Sequence, residues 1–232
     1  MSEGWADVNG VRLGYAVTGS GGRDAVLVHG NGEDRHLFDQ AVPRFVSGGF
    51  RVYAPDSRGH GESTPVSEYH YADMAEDMYL FIRGLGLNKP LLYGHSDGGI
   101  IGLLLEISHP GTLGLLAVSG ANLCPEGLDR GLIAELKERV GNAYDPLAEL
   151  MLTEPRIDPA CLRNIRIPTL VMAGEHDLVF PEETRRIAEG LPRGKLTIVK
   201  DADHGSYVTD GTAADLVLAF AKEHEEKDSR SS

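Results

Sequence analysis

The stretch Gly94-His95-Ser96-Asp97-Gly98-Gly99 lies between an apolar run, Leu91-Leu92-Tyr93, and an amphipathic segment that begins near Gly98. A serine with glycines two residues away on each side, placed where a strand gives way to a helix, is typical of a sharp and strained turn. Composition alone predicts roughly 0.2 chance matches to G-x-S-x-G in a chain of this kind, so the surrounding elements must decide the interpretation. The pattern predicts a serine held at the N-terminus of a helix, facing any negative charge that develops there.

The same alternation of short apolar runs and amphipathic stretches extends over the rest of the chain. The apolar runs lie at 25–28, 50–54, 91–93, 115–118, 169–172 and 196–199, after a hairpin of 5–8 and 11–17 that turns at Asn9-Gly10. Helical patterns lie near 36–48, 70–84, 98–109, 182–190 and 211–226. Continuous apolar runs suit parallel strands that are covered on both faces. We therefore predict an α/β fold with a mostly parallel, twisted sheet flanked by helices.

One segment interrupts this rhythm within what we predict to be a single domain over residues 1–232. Residues 122–164 separate two strands and contain helical patterns near 129–141 and 146–152, which is too much chain for a plain crossover loop. We expect a small helical cap inserted before the strand at 169–172, and an elaborated crossover is the alternative. Its apolar side chains could line an acyl pocket or pack the cap onto the sheet; they are Leu128, Leu132, Ile133, Leu136, Leu147, Leu150, Met151 and Leu152.

The composition disfavours several classes of partner. The 22 basic and 35 acidic residues give a net charge of −13, which disfavours nucleic acid and anionic membrane surfaces as partners. No apolar run is long enough to predict a transmembrane helix, and the first residues do not predict a signal peptide. The two cysteines, Cys124 and Cys161, fit reduced structural thiols in a cytoplasmic protein. The sequence leaves the oligomeric state open.

A serine nucleophile needs a base and an acid, and both are found downstream of Ser96. The strand at 169–172 runs into Gly174-Glu175-His176-Asp177, and the next one ends in Asp201-Ala202-Asp203-His204-Gly205. Asp177 and His204 would therefore reach the same edge of the sheet as Ser96, which is where sites form in open α/β sheets. We prefer Asp177 as the acid over Glu175, Asp201 and Asp203, and His204 as the base over His176.

An oxyanion hole should accompany such a triad. The backbone N–H of Asp97, the residue after the serine, is one expected donor. The loop Val28-His29-Gly30-Asn31-Gly32 follows an earlier strand, and the backbone N–H of Asn31 is the other expected donor. We expect His29, His60 and His95 to be structural residues, whose rings pack beneath the site and form hydrogen bonds to its turns. No histidine pair has the spacing of metal ligands on a helix, so we predict neither a metal nor a cofactor.

These motifs together resemble the α/β-hydrolase superfamily, in its serine-nucleophile, esterase-like branch with a short cap. The resemblance covers nearly the whole chain and lies in five segments in order: His29–Gly32, Asp56–Ser63, Gly94–Gly99, Ile167–Asp177 and Asp203–Gly205. It implies the fold and a Ser96, Asp177, His204 triad. It says much less about substrate, because this fold serves many reactions.

We expect a serine hydrolase that cleaves small carboxylic esters through an acyl-enzyme, with a small-molecule substrate as its partner. The same triad could act on lactones, thioesters or carbon–carbon bonds, and a non-catalytic ligand-binding member of the fold is a further alternative. Asp97 could also recognise an amine on the substrate, as some members of the resembled family that hydrolyse amino-acid esters carry an aspartate at that position. Its placement at a helix N-terminus, where a carboxylate is favourable, explains it without a substrate.

Overall fold

A mixed β-sheet organises the chain, and the computed structural model describes residues 1–229 of it. The strands are β1 (Ser2–Val8), β2 (Val11–Thr18), β3 (Arg23–Val28), β4 (Phe50–Pro55), β5 (Leu91–His95), β6 (Leu115–Ser119), β7 (Thr169–His176) and β8 (Gly194–Asp203). They are ordered β1-β2-β4-β3-β5-β6-β7-β8. The β1–β2 and β2–β4 pairs are antiparallel, and all pairs from β4 to β8 are parallel. The predicted α/β fold is therefore confirmed.

Helices cover both faces of this sheet. They are α1 (Ala41–Ser47), α2 (Tyr71–Gly84), α3 (Asp97–Ser108), α4 (Arg130–Asn142), α5 (Pro146–Thr153), α6 (Pro181–Gly190), α7 (Ser206–Thr209) and α8 (Thr212–Ser229). In β3, Val26 and Val28 pack with α2 and α3, whereas Ala25 and Leu27 pack with α1 and α8. Because successive side chains of a strand point to opposite faces, a strand buried on both faces must be apolar throughout.

The helix predicted near 36–48 is wrong in its first half. A short 3-10 turn occupies Arg35–Phe38, and α1 begins only at Ala41. Pro43 explains the break, since proline lacks an N–H and its ring clashes with the carbonyl four residues earlier. It is tolerated where it stands, in the first turn of α1. The helix predicted near 211–226 is confirmed as α8, and Gly211, with φ of +88°, separates it from the short α7.

Residues 122–164 contain α4 and α5 close to the predicted positions. The start of this segment is bonded to the loop after β7. Asp129 N–H donates to the Leu178 carbonyl at 2.7 Å, and Phe180 N–H donates to the Gly127 carbonyl at 2.8 Å. These bonds bring the segment to the carboxyl edge of the sheet, and we propose that it acts as a cap there.

The order of the strands sets where a site can form. After β3 the chain moves to β4 on one side, and it later returns to β5 on the other side. Ligands of open α/β sheets bind at such a switch point, outside the carboxyl ends of the strands. Within the described part of the chain, no helix combines the length and apolarity needed to cross a membrane.

Candidate active site

Ser96 occupies the strained turn that the sequence predicts. Its backbone has φ of 52° and ψ of −116°, a conformation that non-glycine residues rarely adopt. A Cβ on Gly94 would collide with the backbone of Gly98, and a Cβ on Gly98 would collide with the Val28 carbonyl. The Ser96 N–H donates to the Ser119 carbonyl at 2.7 Å. The flanking glycines are therefore required by the close approach of β5, α3 and β3.

His204 and Asp177 form a hydrogen-bonded pair. His204 Nδ1 lies 2.6 Å from Asp177 Oδ1, and the Asp177 side chain is only 2% exposed. The carboxylate also accepts bonds from the N–H groups of Gly174 at 3.0 Å and Val179 at 3.1 Å. Burial raises the pKa of Asp177, but the bond and charge of His204 and these N–H groups bring it below its usual value. With Nδ1 donating to Asp177, Nε2 is left as the basic nitrogen of the neutral ring.

Ser96 and His204 line the same cavity, although the bond between them is not formed. Nucleophile–base bonds of this kind are often long without a substrate and tighten in the complex. The His204 ring lies against Gly120, where an added Cβ would be 2.5 Å from its Cε1.

The competing acids and the competing base are engaged elsewhere or exposed. Glu175 is exposed and accepts a bond from Asp201 N–H at 2.9 Å, while Asp203 caps α7 by accepting from Ser206 N–H at 2.8 Å. His176 is exposed. Potential metal-ligand atoms of Glu175, His176 and Asp201 lie within 4.8 Å of one another, but all three residues are exposed, and exposed acidic groups are common without an ion. The structure therefore brings only Asp177 to His204.

Hydrogen bonds in the loop after β3 leave one N–H group available. Gly30 N–H donates to Glu33 Oε2 at 2.8 Å, and Gly32 N–H donates to His60 Nε2 at 3.1 Å. The Asn31 N–H between them has no partner in the described chain. An unpaired backbone N–H beside a nucleophile is suited to receive an oxyanion.

Asp97 is the first residue of α3, so its N–H has no acceptor within the helix. None of the described residues accepts from it. The Asp97 carboxyl group is 2% exposed and accepts from Tyr71 OH at 2.7 Å and from Asn31 Nδ2 at 3.1 Å. Burial raises its pKa more strongly than these two bonds lower it. Both candidate oxyanion donors thus stand at the cavity, next to Ser96.

His29, His60 and His95 are all buried, as expected for structural residues, and His60 bonds the Gly32 N–H at 3.1 Å and the Arg58 carbonyl at 2.9 Å. His29 donates from Nδ1 to the Gly30 carbonyl at 2.8 Å and accepts from Ser57 N–H at Nε2 at 2.9 Å. Burial lowers the pKa of His29 to about 4. His95 bonds Ser119 Oγ through Nδ1 at 3.0 Å, and burial lowers its pKa to about 3. The rings of His29 and His95 are therefore neutral at physiological pH.

The cavity over Ser96 has a volume of about 190 Å³. Its apolar wall comes from the proposed cap and the loop after β7: Leu128, Leu132, Leu136, Met151 and Leu178. Its charged groups are Glu33, Asp97, Glu154 and Arg139, and Arg139 is paired with Asp145 at 2.7 Å. Leu150 packs into the main core instead. The apolar residues of the segment thus serve both the cavity and packing.

Three residues at the site were missed by the sequence analysis. Tyr71 bonds Asp97, Gly120 makes room for His204, and Glu154 lines the cavity. A glycine directly after β6 could have been noticed, because the carboxyl ends of strands form the site. For Tyr71 and Glu154 the sequence holds no local signal, since each acts through residues far away along the chain.

Comparison with known proteins identifies the family. A model of the alpha/beta hydrolase family matches residues 25–219. The chain belongs to this family. Among curated alpha/beta hydrolase relatives, "Bifunctional epoxide hydrolase 2" of Sus scrofa is 32% identical over 114 residues, which are 47% of this chain and 20% of that protein. "Serine hydrolase BPHL" of Homo sapiens is 33% identical over 120 residues, 50% of this chain and 41% of that protein.

The chain thus spans less than half the length of these two relatives. A solved structure of this fold, "Putative non-heme bromoperoxidase BpoC from Mycobacterium tuberculosis H37Rv", has a TM-score of 0.80 and 20% identity. The match covers 91% of this chain and 96% of the bromoperoxidase chain. At this identity the likeness shows the fold alone. Membership of the alpha/beta hydrolase family supports an enzyme with hydrolase activity.

Proposed function

We propose that this alpha/beta hydrolase is a serine hydrolase that cleaves small carboxylic esters. The observation that carries the proposal is the His204–Asp177 pair, bonded at 2.6 Å and lining one cavity with a serine in a strained turn. A base fixed in its tautomer by a buried acid, beside a serine, is the arrangement that activates a hydroxyl for attack.

In the proposed reaction Ser96 Oγ attacks the ester carbonyl carbon and its proton passes to His204 Nε2. The C–O bond to the alcohol breaks, and the alcohol takes that proton as it leaves. A water molecule then gives its proton to Nε2 and attacks the acyl-enzyme, which releases the acid and returns the proton to Ser96. Asp177 orients the ring and stabilises its charged form throughout.

The oxyanion of each tetrahedral intermediate would be held by the N–H groups of Asn31 and Asp97. Both groups lack partners within residues 1–229, so nothing in the described chain must be displaced before they bind the oxyanion. One such donor is worth roughly 3 kcal/mol of transition-state stabilisation in other serine enzymes.

The size of the cavity supports short acyl chains. Drug-sized ligands occupy pockets of at least about 300 Å³, and this cavity has about 190 Å³. We also propose a cytoplasmic location, which agrees with Cys124 and Cys161 being free thiols.

The first test is labelling with a fluorophosphonate, read by intact mass. We expect one adduct on the parent, none on Ser96→Ala, and one on Ser67→Ala, a control that removes an exposed hydroxyl. Ser96→Ala should lower kcat by on the order of 10³-fold or more. A panel of esters of increasing chain length, lactones and thioesters then ranks the substrate classes. An optimum beyond about eight carbons would contradict a pocket of this size.

The second candidate is a ligand-binding protein that keeps the His204–Asp177 pair but does not turn over its ligand. A folded parent that binds esters without forming an adduct or releasing product would support this candidate and refute the hydrolase.

A further inference from the structure

The two residues proposed to supply the oxyanion-hole N–H groups are linked by their side chains. Asn31 Nδ2 donates to Asp97 Oδ2 at 3.1 Å. Asn31 belongs to the loop after β3, whereas Asp97 opens α3 after β5. The two halves of the proposed hole thus come from different elements, and this side-chain bond joins them directly.

The carboxyl group of Asp97 is held from its other side as well. Tyr71 OH donates to Oδ1 at 2.7 Å, and the side chains of Tyr71 and Asp97 are 1% and 2% exposed. Tyr71 is the first residue of α2, and its own N–H is bound by Glu154 at 3.0 Å. Each oxygen of Asp97 therefore has a protein donor, and the group is fixed in a buried site.

The second amide hydrogen of Asn31 reaches the proposed cap. Nδ2 also donates to the carbonyl of Leu147, near the start of α5, at 3.3 Å. An amide nitrogen carries two hydrogens, so the donors of this side chain are fully used. The Asn31 side chain is thereby held between the turn that carries the nucleophile and the segment that covers the cavity.

We propose that the Asn31–Asp97 side-chain bond, braced by Tyr71, sets the separation of the two oxyanion-hole N–H groups, which makes Asp97 a positioning residue. The inference rests on the proposed hydrolase function. It differs from amine recognition by Asp97, because each carboxylate oxygen already accepts a bond from the protein and the residue is only 2% exposed. Displacements of about 1 Å at such sites cost on the order of 10²-fold in rate, so a link of this kind has a kinetic consequence.

The test compares Asn31→Ala, Asp97→Ala and Asp97→Asn with a neutral short-chain ester. Both alanine variants keep the backbone N–H groups but lose the link, and we expect kcat to fall about 10- to 100-fold with KM changed less than about threefold. Affinity for a trifluoromethyl ketone, whose adduct places an oxyanion in the hole, should fall in parallel with kcat/KM. Asp97→Asn keeps an acceptor for the Asn31 side chain, so its kcat and its affinity for the ketone should fall much less.

A double-mutant cycle isolates the link. The kcat of the Asn31→Ala/Asp97→Ala variant should lie within about threefold of the kcat of the slower single variant, because either change alone already removes the bond. Asp39→Asn is the control: this exposed carboxylate directly follows the 3-10 turn at Arg35–Phe38, and the variant should keep the parental kcat.

Two results would overturn the inference while the hydrolase stands. One is a parental kcat in Asn31→Ala and Asp97→Ala on the neutral ester. The other is a loss in the Asp97 variants confined to matched esters with an α-amino group, which would assign Asp97 to amine recognition. A parent that neither turns over esters nor forms the fluorophosphonate adduct refutes the proposed function, and the inference falls with it.

Discussion

At the scale of single residues, the site depends on backbone conformations that side chains normally avoid. Ser96 has a φ of 52° and Gly120 has a φ of 62°. Ser96 presents its hydroxyl at the N-terminus of α3, and Gly120 leaves space for the ring of His204. Such strain persists only where the surrounding structure holds it, as the buried neighbours of both residues do here.

Gly120→Ala should damage both stability and activity. Its Cβ would be 2.5 Å from His204 Cε1, and a left-handed non-glycine residue costs roughly 1–2 kcal/mol. We expect a lower free energy of unfolding by about that amount, and kcat at least about tenfold lower because the base is displaced. Urea titration and ester kinetics measure the two effects.

The matched control is Gly141→Ala in α4, where an added Cβ meets no atom within 4 Å. Because alanine is a better helix former, this variant should gain about 0.5–1 kcal/mol and keep its kcat. Unchanged ester kinetics in Gly120→Ala would contradict the role assigned to the glycine.

At the scale of elements, the proposed cap supports a helix that packs on the sheet. The residue before α2, His70, provides no side-chain bond to the helix N-terminus. Glu154 at the end of α5 does so instead, accepting from Tyr71 N–H at 3.0 Å and pairing with His70 at 2.7 Å. The hydrogen bond with Glu154 raises the pKa of His70. Helix α2 is thus capped from a distant element.

Glu154→Ala should lower the free energy of unfolding by about 1 kcal/mol, the usual cost of losing an N-terminal cap. It should also lower kcat modestly, since Tyr71 holds Asp97. Glu149→Ala on the same helix removes an exposed carboxylate and is the comparison. Equal denaturation midpoints for the two variants would show that Glu154 does not cap α2.

At the scale of the whole molecule, stability should respond to acid through buried histidines. Burial lowers the pKa of His29 to about 4 and of His95 to about 3, whereas the unfolded chain binds these protons near pH 6.5. Between these values the unfolded state holds more protons, so stability decreases as pH falls below 6.5. The raised pKa values of Glu33 and Asp97 act in the opposite sense.

His95→Gln should therefore flatten the dependence of unfolding free energy on pH between about 6.5 and 4. Over that pH range, each buried histidine lowers the free energy of unfolding by up to about 3 kcal/mol. Urea titrations of parent and variant at several pH values measure it, with pH 8 as the baseline for each. Parallel curves for the two proteins would exclude His95 as a source of the acid sensitivity.

Local patterns in the sequence were enough to predict the fold and most of the candidate site. Apolar runs determine strands covered on both faces, and glycines around Ser96 determine the turn, because each depends on neighbours along the chain. The order of strands then brings Asp177 and His204 to the edge where Ser96 lies. The one misplaced helix, near 36–48, also has a local cause in Pro43, which the periodicity did not reveal.

Only the tertiary structure decided how these residues are held. The bonds that fix Asp97 and Asn31 join residues 26, 66 and 116 positions apart, to Tyr71, to each other and to Leu147. Periodicity and spacing report which face of an element is buried, but not which polar groups meet once the elements pack. Residue type alone also allowed Asp97 to contact a substrate amine. The protein donors on both of its oxygens, which only folding brings together, support a positioning role instead.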